Sequence, residues 1–376
     1  MSQYQISSTV VDASTLIEYV TITGKLAPST GEDYMKLARL AWSFRKAVKV
    51  ATRMIAKGVK ANAVLKELRK TLDKAYADSA FKLAKAIVKG CMTNGGNPLH
   101  VNIRKLFIAS EGESSKLGNR NIRFEDTSFV KVKYPYDGSW IQLKAEFGEE
   151  YLPLLRELTE LAKQKRASYN AKIMFRDGKT YLHVSVPAEL YLKHFKKGEA
   201  HGELIAGFDL NSDRISLAIV DKYGRLVDAK TEWFPEVTSH GFSREKAKAL
   251  RLRALAKLLM YCYTHGVGTA VFEDLFNVNK RRFTWNRTAN RKMSRFAKRE
   301  LLQHAILMSL KYGFRVLLAD PRGTTSSREH DEVMRSHGLD KHVASAYLIA
   351  LRVLNQDKQT KQTIMKTETA SQRRSA

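Results

Sequence analysis

Three carboxylates stand where an apolar run begins or ends. Asp209 closes the run LIAGFDL at residues 204–210, and Glu273 closes TAVFE at 269–273. Asp340 opens HVASAYLIA and its helical spacing. A carboxylate behind an apolar strand is costly to bury without a partner. Three that converge make an oxygen-rich site suited to Mg²⁺ or Mn²⁺. Two such ions about 3.5–4 Å apart position a water and steady the leaving oxygen of a phosphodiester. That chemistry needs hard anionic oxygens on rigid elements and no protein nucleophile. Each acid also admits a structural reading: Asp209 as a turn cap, Glu273 as an arginine's partner, Asp340 as a helix N-cap. A Ser/His hydrolase reading of Thr325, Ser326, Ser327, His330 and His337 finds no G-x-S-x-G motif. Those hydroxyls read as caps or phosphate contacts. Lys341 and His342 beside Asp340 read as phosphate-holding, with His342 a weak candidate for a general base. Arg322 reads equally as a phosphate contact or a salt bridge.

Directly after Glu273, residues 280–299 read KRRFTWNRTANRKMSRFAKR, with nine Lys or Arg and no acid. Lys280, Arg281, Arg282, Arg287, Arg291, Lys292 and Arg295 suit phosphates, and Trp285 suits stacking on unpaired bases. The competing reading is a solvated basic loop. The whole chain of 376 residues carries 65 Lys+Arg against 38 Asp+Glu, a net charge of +27. Such self-repulsion calls for a polyanion, and nucleic acid is the expected one. Hydrophobic residues at 44% exclude a wholly disordered chain. No run approaches the roughly 18 apolar residues of a membrane span, and no secretory pattern opens the chain. With only Cys91 and Cys262, no disulfide framework and no four-cysteine zinc site is available. The expected protein is soluble and intracellular.

The elements that must position these groups follow from periodicity. Leu37, Ala41, Phe44, Val48, Ala51 and Ile55 recur at helical spacing up to Gly58, and a second helix runs from about Asn62 to Gly90. Arg39, Lys46, Lys49 and Arg53 on the first helix form a basic face, either solvated or in contact with nucleic acid. Residues 149–169 read as a charged helix. Residues 171–175 and 181–186 alternate around Asp177-Gly178 as a hairpin, and Pro187 begins a linker to about Gly202. Residues 203–355 read as three strands, helix, strand, helix, strand, helix, a hairpin-first mixed α/β layout. Residues 356–376 read as a disordered tail.

The motifs GFDLNSDRISLAIVD, TAVFEDL and GLDKHVASAYLIA resemble the three motifs of the RuvC-type, RNase H-like nuclease domain of TnpB (OrfB), encoded by small insertion sequences and related to type V CRISPR effectors. KYGFRVLLADPRGTTSS resembles the passage between the second and third motifs, and the 171–186 hairpin resembles the piece that precedes the nuclease domain. The resemblance implies a mixed-sheet nuclease domain over 203–355 and a β-rich wedge-like guide-binding domain from 1–31 and 99–202. It further implies a helical recognition insert at 32–98. It implies an RNA-guided, metal-dependent DNA endonuclease with guide RNA and target double-stranded DNA as partners. Asp209, Glu273 and Asp340 would be the catalytic metal ligands, in the prokaryotic cytoplasm. Two departures stand out. Asn211 replaces the usual glycine of the first motif. The cysteines of the family's zinc ribbon are absent between Ser326 and Asp340, so no zinc is expected. A nuclease-inactive guided repressor and an unguided structure-specific nuclease are the alternatives.

Overall fold

The computed structural model describes residues 10–276, 285, 298–322, 324 and 327–354. They form two compact units, residues 18–194 and, separately, residues 10–17 with the described residues from 195 on.

In the unit of residues 18–194, β2 (Tyr19–Pro28) follows a first strand, β1 (Val10–Asp12), that belongs elsewhere. Helices α1 (Gly31–Ala56), α2 (Ala61–Leu68) and α3 (Lys74–Thr93) come next. Then follow β3 (Phe107–Ser110), the small pair β4 (Gly112–Glu113) and β5 (Gly118–Asn119), β6 (Ile122–Phe124), β7 (Phe129–Lys133) and β8 (Trp140–Glu146). The helix α4 (Leu152–Lys163), the hairpin β9 (Asn170–Arg176) and β10 (Lys179–Pro187), and α5 (Ala188–Phe195) complete it. Seven strands pair antiparallel in the order β3-β9-β10-β2-β8-β7-β6. Thr30 starts α1 by accepting the Asp33 amide at 3.1 Å. Phe44 on α1 meets Phe107 of β3 and Tyr76 of α3 edge-on, at 5.7 and 6.1 Å, which fixes the helices on the sheet. The second expected helix is two, because the Asp73 side chain accepts the Tyr76 amide and begins α3 anew. The hairpin turns at Asp177 and Gly178 with φ of +52° and +72°, the two positive angles that match strand twist. The expected linker after Pro187 instead contains α5, which buries Leu190 and Tyr191.

The other unit holds β11 (Leu204–Leu210), β12 (Arg214–Val220), β13 (Leu226–Trp233), α6 (Arg244–Thr264), β14 (Val267–Glu273), α7 (Lys298–Lys311), β15 (Arg315–Ala319), α8 (Arg328–His337) and a last helix α9 (341–354). Its sheet has the order β1-β15-β14-β11-β12-β13. The consecutive strands β11 to β13 are antiparallel, β14 runs parallel to β11, and β15 runs parallel to β14. This is the RNase H-like arrangement, with the order strand-strand-strand-helix-strand-helix-strand-helix that the apolar runs predict. Two features differ from expectation. β1 lies antiparallel on β15, so Val10–Asp12, expected in the β-rich domain, join this sheet, and the residues up to Ile17 fall in its unit. The cysteine-free stretch folds as α8, opened by the Ser327 hydroxyl accepting the His330 amide and closed by Gly338 at φ +62°.

Alternation along the strands gives two cores. Ala206, Phe208, Ala270, Phe272, Val316 and Leu318 face α6 and α7, while Ile205, Val271, Leu317 and Ala319 face Ala346, Ile349 and Ala350 of α9. Gly207 also faces α9. A Cβ there would lie 2.1 Å from the Ala346 carbonyl oxygen and 2.7 Å from the Ala350 amide nitrogen. The glycine is what lets helix and strand touch backbone to backbone. No helix among the described residues is long and apolar enough to cross a membrane.

Candidate active site

Asp209 and Glu273 are neighbours by register. Phe208 pairs with Phe272 across the parallel strands, and their rings stack at 4.8 Å on the α6/α7 side. One residue further, both carboxylates therefore turn to the α9 side, on strands about 4.8 Å apart. Both are buried, at 7% and 8% exposure, so each needs donors.

Asp209 Oδ2 accepts the Asn211 side-chain amide at 2.6 Å and lies 2.9 Å from His342 Nδ1. The Asn211 amide nitrogen also lies 3.1 Å from His342 Nδ1, which donates to Asp209 in one tautomer and accepts from Asn211 in the other. Asn211 stands in place of the glycine of the motif that this stretch resembles, and its side chain makes the shorter of these two contacts to Asp209. Glu273 Oε1 lies 2.6 Å from the Thr324 hydroxyl, which is fully buried and also 2.8 Å from the Pro321 carbonyl oxygen. Donation to the carboxylate is the charge-assisted and shorter of the two. The segment carrying Thr324 is tied from α9, where Arg352 donates to the carbonyls of Asp320 and Arg322. Burial pushes the Arg352 guanidinium below its ordinary pKa, against the opposing pull of Asp320, Glu329 and Glu273.

Asp340 stands at the start of α9. Its Oδ1 accepts the backbone N–H of His342 at 2.8 Å and of Val343 at 3.2 Å, and the residue is exposed. The structure thus brings Asp209 and Glu273 to one face and uses the Asp340 carboxylate as a helix cap; the side chain that α9 extends to Asp209 belongs to His342. Among the described residues no three His, Cys, Asp or Glu side chains are gathered to hold a metal. The donor chemistry, carboxylate oxygens on the ends of adjacent strands, nonetheless suits a hard divalent cation.

Of the basic segment, Lys280, Arg281, Arg282, Arg287, Arg291, Lys292 and Arg295 lie outside the described residues. Trp285 is described and fully exposed. Arg39, Lys46 and Arg53 are exposed and Lys49 half-buried along one stripe of α1. The exposed Trp42 lies in that stripe, with the Lys46 ammonium 5.4 Å from its ring. Arg39 lies 4.9 Å over the Tyr136 ring. Arg322 is a salt-bridge partner, held by Asp320, whose carboxyl it keeps below the usual range. Ser327 is a cap; Thr325 and Ser326 fall outside the described residues. A cavity of about 620 Å³ opens elsewhere, lined by Arg244, Lys248, Arg251, Glu300 and His304 of α6 and α7. Lys248 and Glu300 pair across it at 2.6 Å. The partners Asn211 and Thr324 were not legible as such in the sequence. The only signal was a polar residue two places after Asp209 and a hydroxyl-rich turn after β15.

Comparison with known proteins identifies relatives of the chain. Residues 19–196 match the family described as SSO2105 N-terminal domain. The chain is 43% identical over 345 residues to the uncharacterized protein SSO2105 of Saccharolobus solfataricus, covering 90% of this chain and 92% of that one. It is 31% identical over 297 residues to an uncharacterized protein of Aeropyrum pernix, covering 74% and 78%. Among solved structures, it resembles a Cas12f1–sgRNA–target DNA complex with a TM-score of 0.45 and 10% identity, covering 85% of this chain and 82% of that one. It also resembles T. thermophilus RuvC bound to a Holliday junction substrate, with a TM-score of 0.30 and 16% identity, covering 42% and 96%.

Proposed function

The chain belongs to the SSO2105 family, and we propose that it is a metal-dependent DNA endonuclease guided by RNA, of the TnpB kind. The observation that carries this reading is the buried pair Asp209 and Glu273, side by side at the ends of parallel strands in an RNase H-like sheet. The three sequence motifs and the charge of +27 support it. Asp209 and Glu273 would hold Mg²⁺ or Mn²⁺, with Asp340 as third ligand. The bound ion would supply a water of lowered pKa and Lewis-acid stabilisation of the phosphate.

The chain's own residues prepare the site. Asn211 and His342 fix one oxygen of Asp209, and Thr324 fixes one of Glu273, so neither carboxylate is free to rotate. The α9 backbone packed on Gly207 covers this face of the sheet up to the carboxylates and restricts water there. Guide and target strands would be held by their phosphates on basic surfaces such as the Arg39–Arg53 stripe, while base pairing reads sequence.

The test is plasmid nicking by protein purified with its native flanking DNA, in the presence of Mg²⁺. Asp209→Ala is expected to abolish cutting and leave nucleic-acid binding within about twofold. Undiminished cutting by that variant rules out the site. Absence of a defined co-purified RNA rules out the guide. A second reading, a guided DNA-binding protein that does not cut, draws on the helix-cap use of Asp340. It is selected if RNA and target bind while no divalent cation supports nicking.

A further inference from the structure

One same-face step beyond the carboxylate row lies an aromatic group that the proposed chemistry does not use. Asp209 pairs with Ser216 on β12, and Ser216 with Thr231 on β13, their hydroxyls 3.0 Å apart. The next row on that face is Arg214 opposite Trp233. It lies past the end of β11, about 7 Å further along the strands. The Arg214 guanidinium sits 3.8 Å from the Trp233 ring centre. Asp213 holds that guanidinium from the side, Nε to Oδ1 at 3.1 Å. The loop is itself pinned: the Phe234 amide donates to the Asp213 carbonyl at 2.9 Å, and Asn211 donates to that of Arg214 at 3.0 Å. The neighbouring Phe234 is buried, so the backbone under the indole is fixed, while the indole is 58% exposed.

This arrangement differs from a cation–π pair that only packs a surface. Asp213 offsets the charge of Arg214, which makes the guanidinium a poor phosphate anchor. What it does is hold one face of a large flat ring and leave the other to solvent. A rigid, half-supported indole at the mouth of a site is suited to a second flat π system. Two strands across and two residues along place Trp233 about 12 Å from Asp209 between Cα atoms. A strand stacked at about 3.4 Å per nucleotide spans that in three or four nucleotides. The chain's net charge of +27 makes nucleic acid the flat ligand to expect, rather than an aromatic peptide.

We infer that Trp233, backed by Arg214, stacks an unpaired base of the DNA strand that enters the Asp209/Glu273 site and sets where along that strand the cut falls. The inference rests on the nuclease reading for its consequence and on the stack alone for its binding. Trp233 acts as a positioning residue.

The test uses the full chain in an Asp209→Ala background, with single-stranded oligodeoxynucleotides carrying 2-aminopurine at successive positions. One position is expected to be quenched by stacking. Trp233→Ala is expected to abolish that quenching and weaken single-strand binding by about 5- to 150-fold, the range for one lost base–aromatic stack. Trp233→Phe is expected to restore most of both, and binding to blunt duplex is expected to change less than twofold. With Asp209 intact, Trp233→Ala is expected to scatter the cut positions. Unchanged quenching and affinity in Trp233→Ala overturn the proposal, as does an equal loss in Trp233→Phe from a protein whose melting is unaltered. Tighter, Trp233-dependent binding of the matching RNA overturns DNA as the occupant. Quenching without cleavage by any Asp209-intact protein refutes the nuclease reading and leaves the stack standing.

Discussion

Replacing Gly207 by alanine should uncouple the helix from the site. The added methyl would lie 2.1 Å from the Ala346 carbonyl oxygen, 2.7 Å from the Ala350 amide nitrogen and 3.0 Å from the Ala350 Cβ. Two of those contacts are backbone, so no side-chain rotation relieves them. Ordinary contact needs about 3.4 Å, so α9 must lift from β11 by about 1.3 Å at that point. A gap of about 0.5–1 Å already forfeits a quarter to a half of each dispersion contact. The apolar groups of Ala346, Ile349, Ala350 and Val353 would all feel it. Overpacking of this kind costs about 1–3 kcal/mol, which for a domain of this size lowers Tm by about 2–12 °C. The lift also moves His342, whose Nδ1 is 2.9 Å from Asp209, beyond hydrogen-bond reach. A displacement of about 1 Å at a catalytic group costs about 100-fold in rate. Thermal melts followed by circular dichroism and Mg²⁺-dependent nicking at a temperature where both proteins are folded measure the two effects. Gly207→Ala with an unchanged Tm and an unchanged nicking rate would refute the close-approach argument.

Other expectations follow from single contacts. Thr324→Ala removes a charge-assisted bond to Glu273 and should cost about 1.5–3 kcal/mol in stability, with at least tenfold slower nicking, and Thr324→Ser should recover most of both in melts and cleavage assays. Gly178→Ala meets no steric obstacle but keeps φ at +72°, so chemical denaturation should show a loss of about 1 kcal/mol from backbone strain alone. Burial, aided by the Lys172 charge, holds His183 below its ordinary pKa of 6.5. The unfolded chain then binds the proton more readily, so this contribution is intact above the ordinary pKa and is lost as the pH falls through 6.5. Melts between pH 7.5 and 5.5 should show that slope, and His183→Gln should flatten it.

Strand periodicity made the C-terminal sheet legible, because apolar runs such as 204–210 and 214–220 end where charge begins. The acids at their ends were legible for the same reason. The Asp177-Gly178 turn declared its hairpin through residues that accept positive φ. What was not legible depended on contacts distant in sequence. Three-residue β1 carries no pattern strong enough to name a partner over 300 residues away. The division of the second helix rests on Asp73 capping α3, and helical spacing alone runs through it. His342 beside Asp209 is a matter of how closely α9 lies on β11, which one glycine decides and no periodicity announces. Asp340 reads from the sequence as a helix cap or as a metal ligand, and the backbone geometry at 342 and 343 shows the cap, made through one of its two oxygens.

The pairing of β1 with β15 makes a folding problem of the chain's own order. Val10 meets Ala319, so this ladder closes only after the ribosome has released the more than 300 residues between the two strands. Until then the flank of β15 is bare backbone, the kind of edge that recruits foreign strands. Everything from residue 18 to 194 is, topologically, a long excursion that the chain completes before returning to the sheet it has already begun. Loop closure over such a distance is slow, and a chain shortened by its first dozen residues would never have the means to seal that flank.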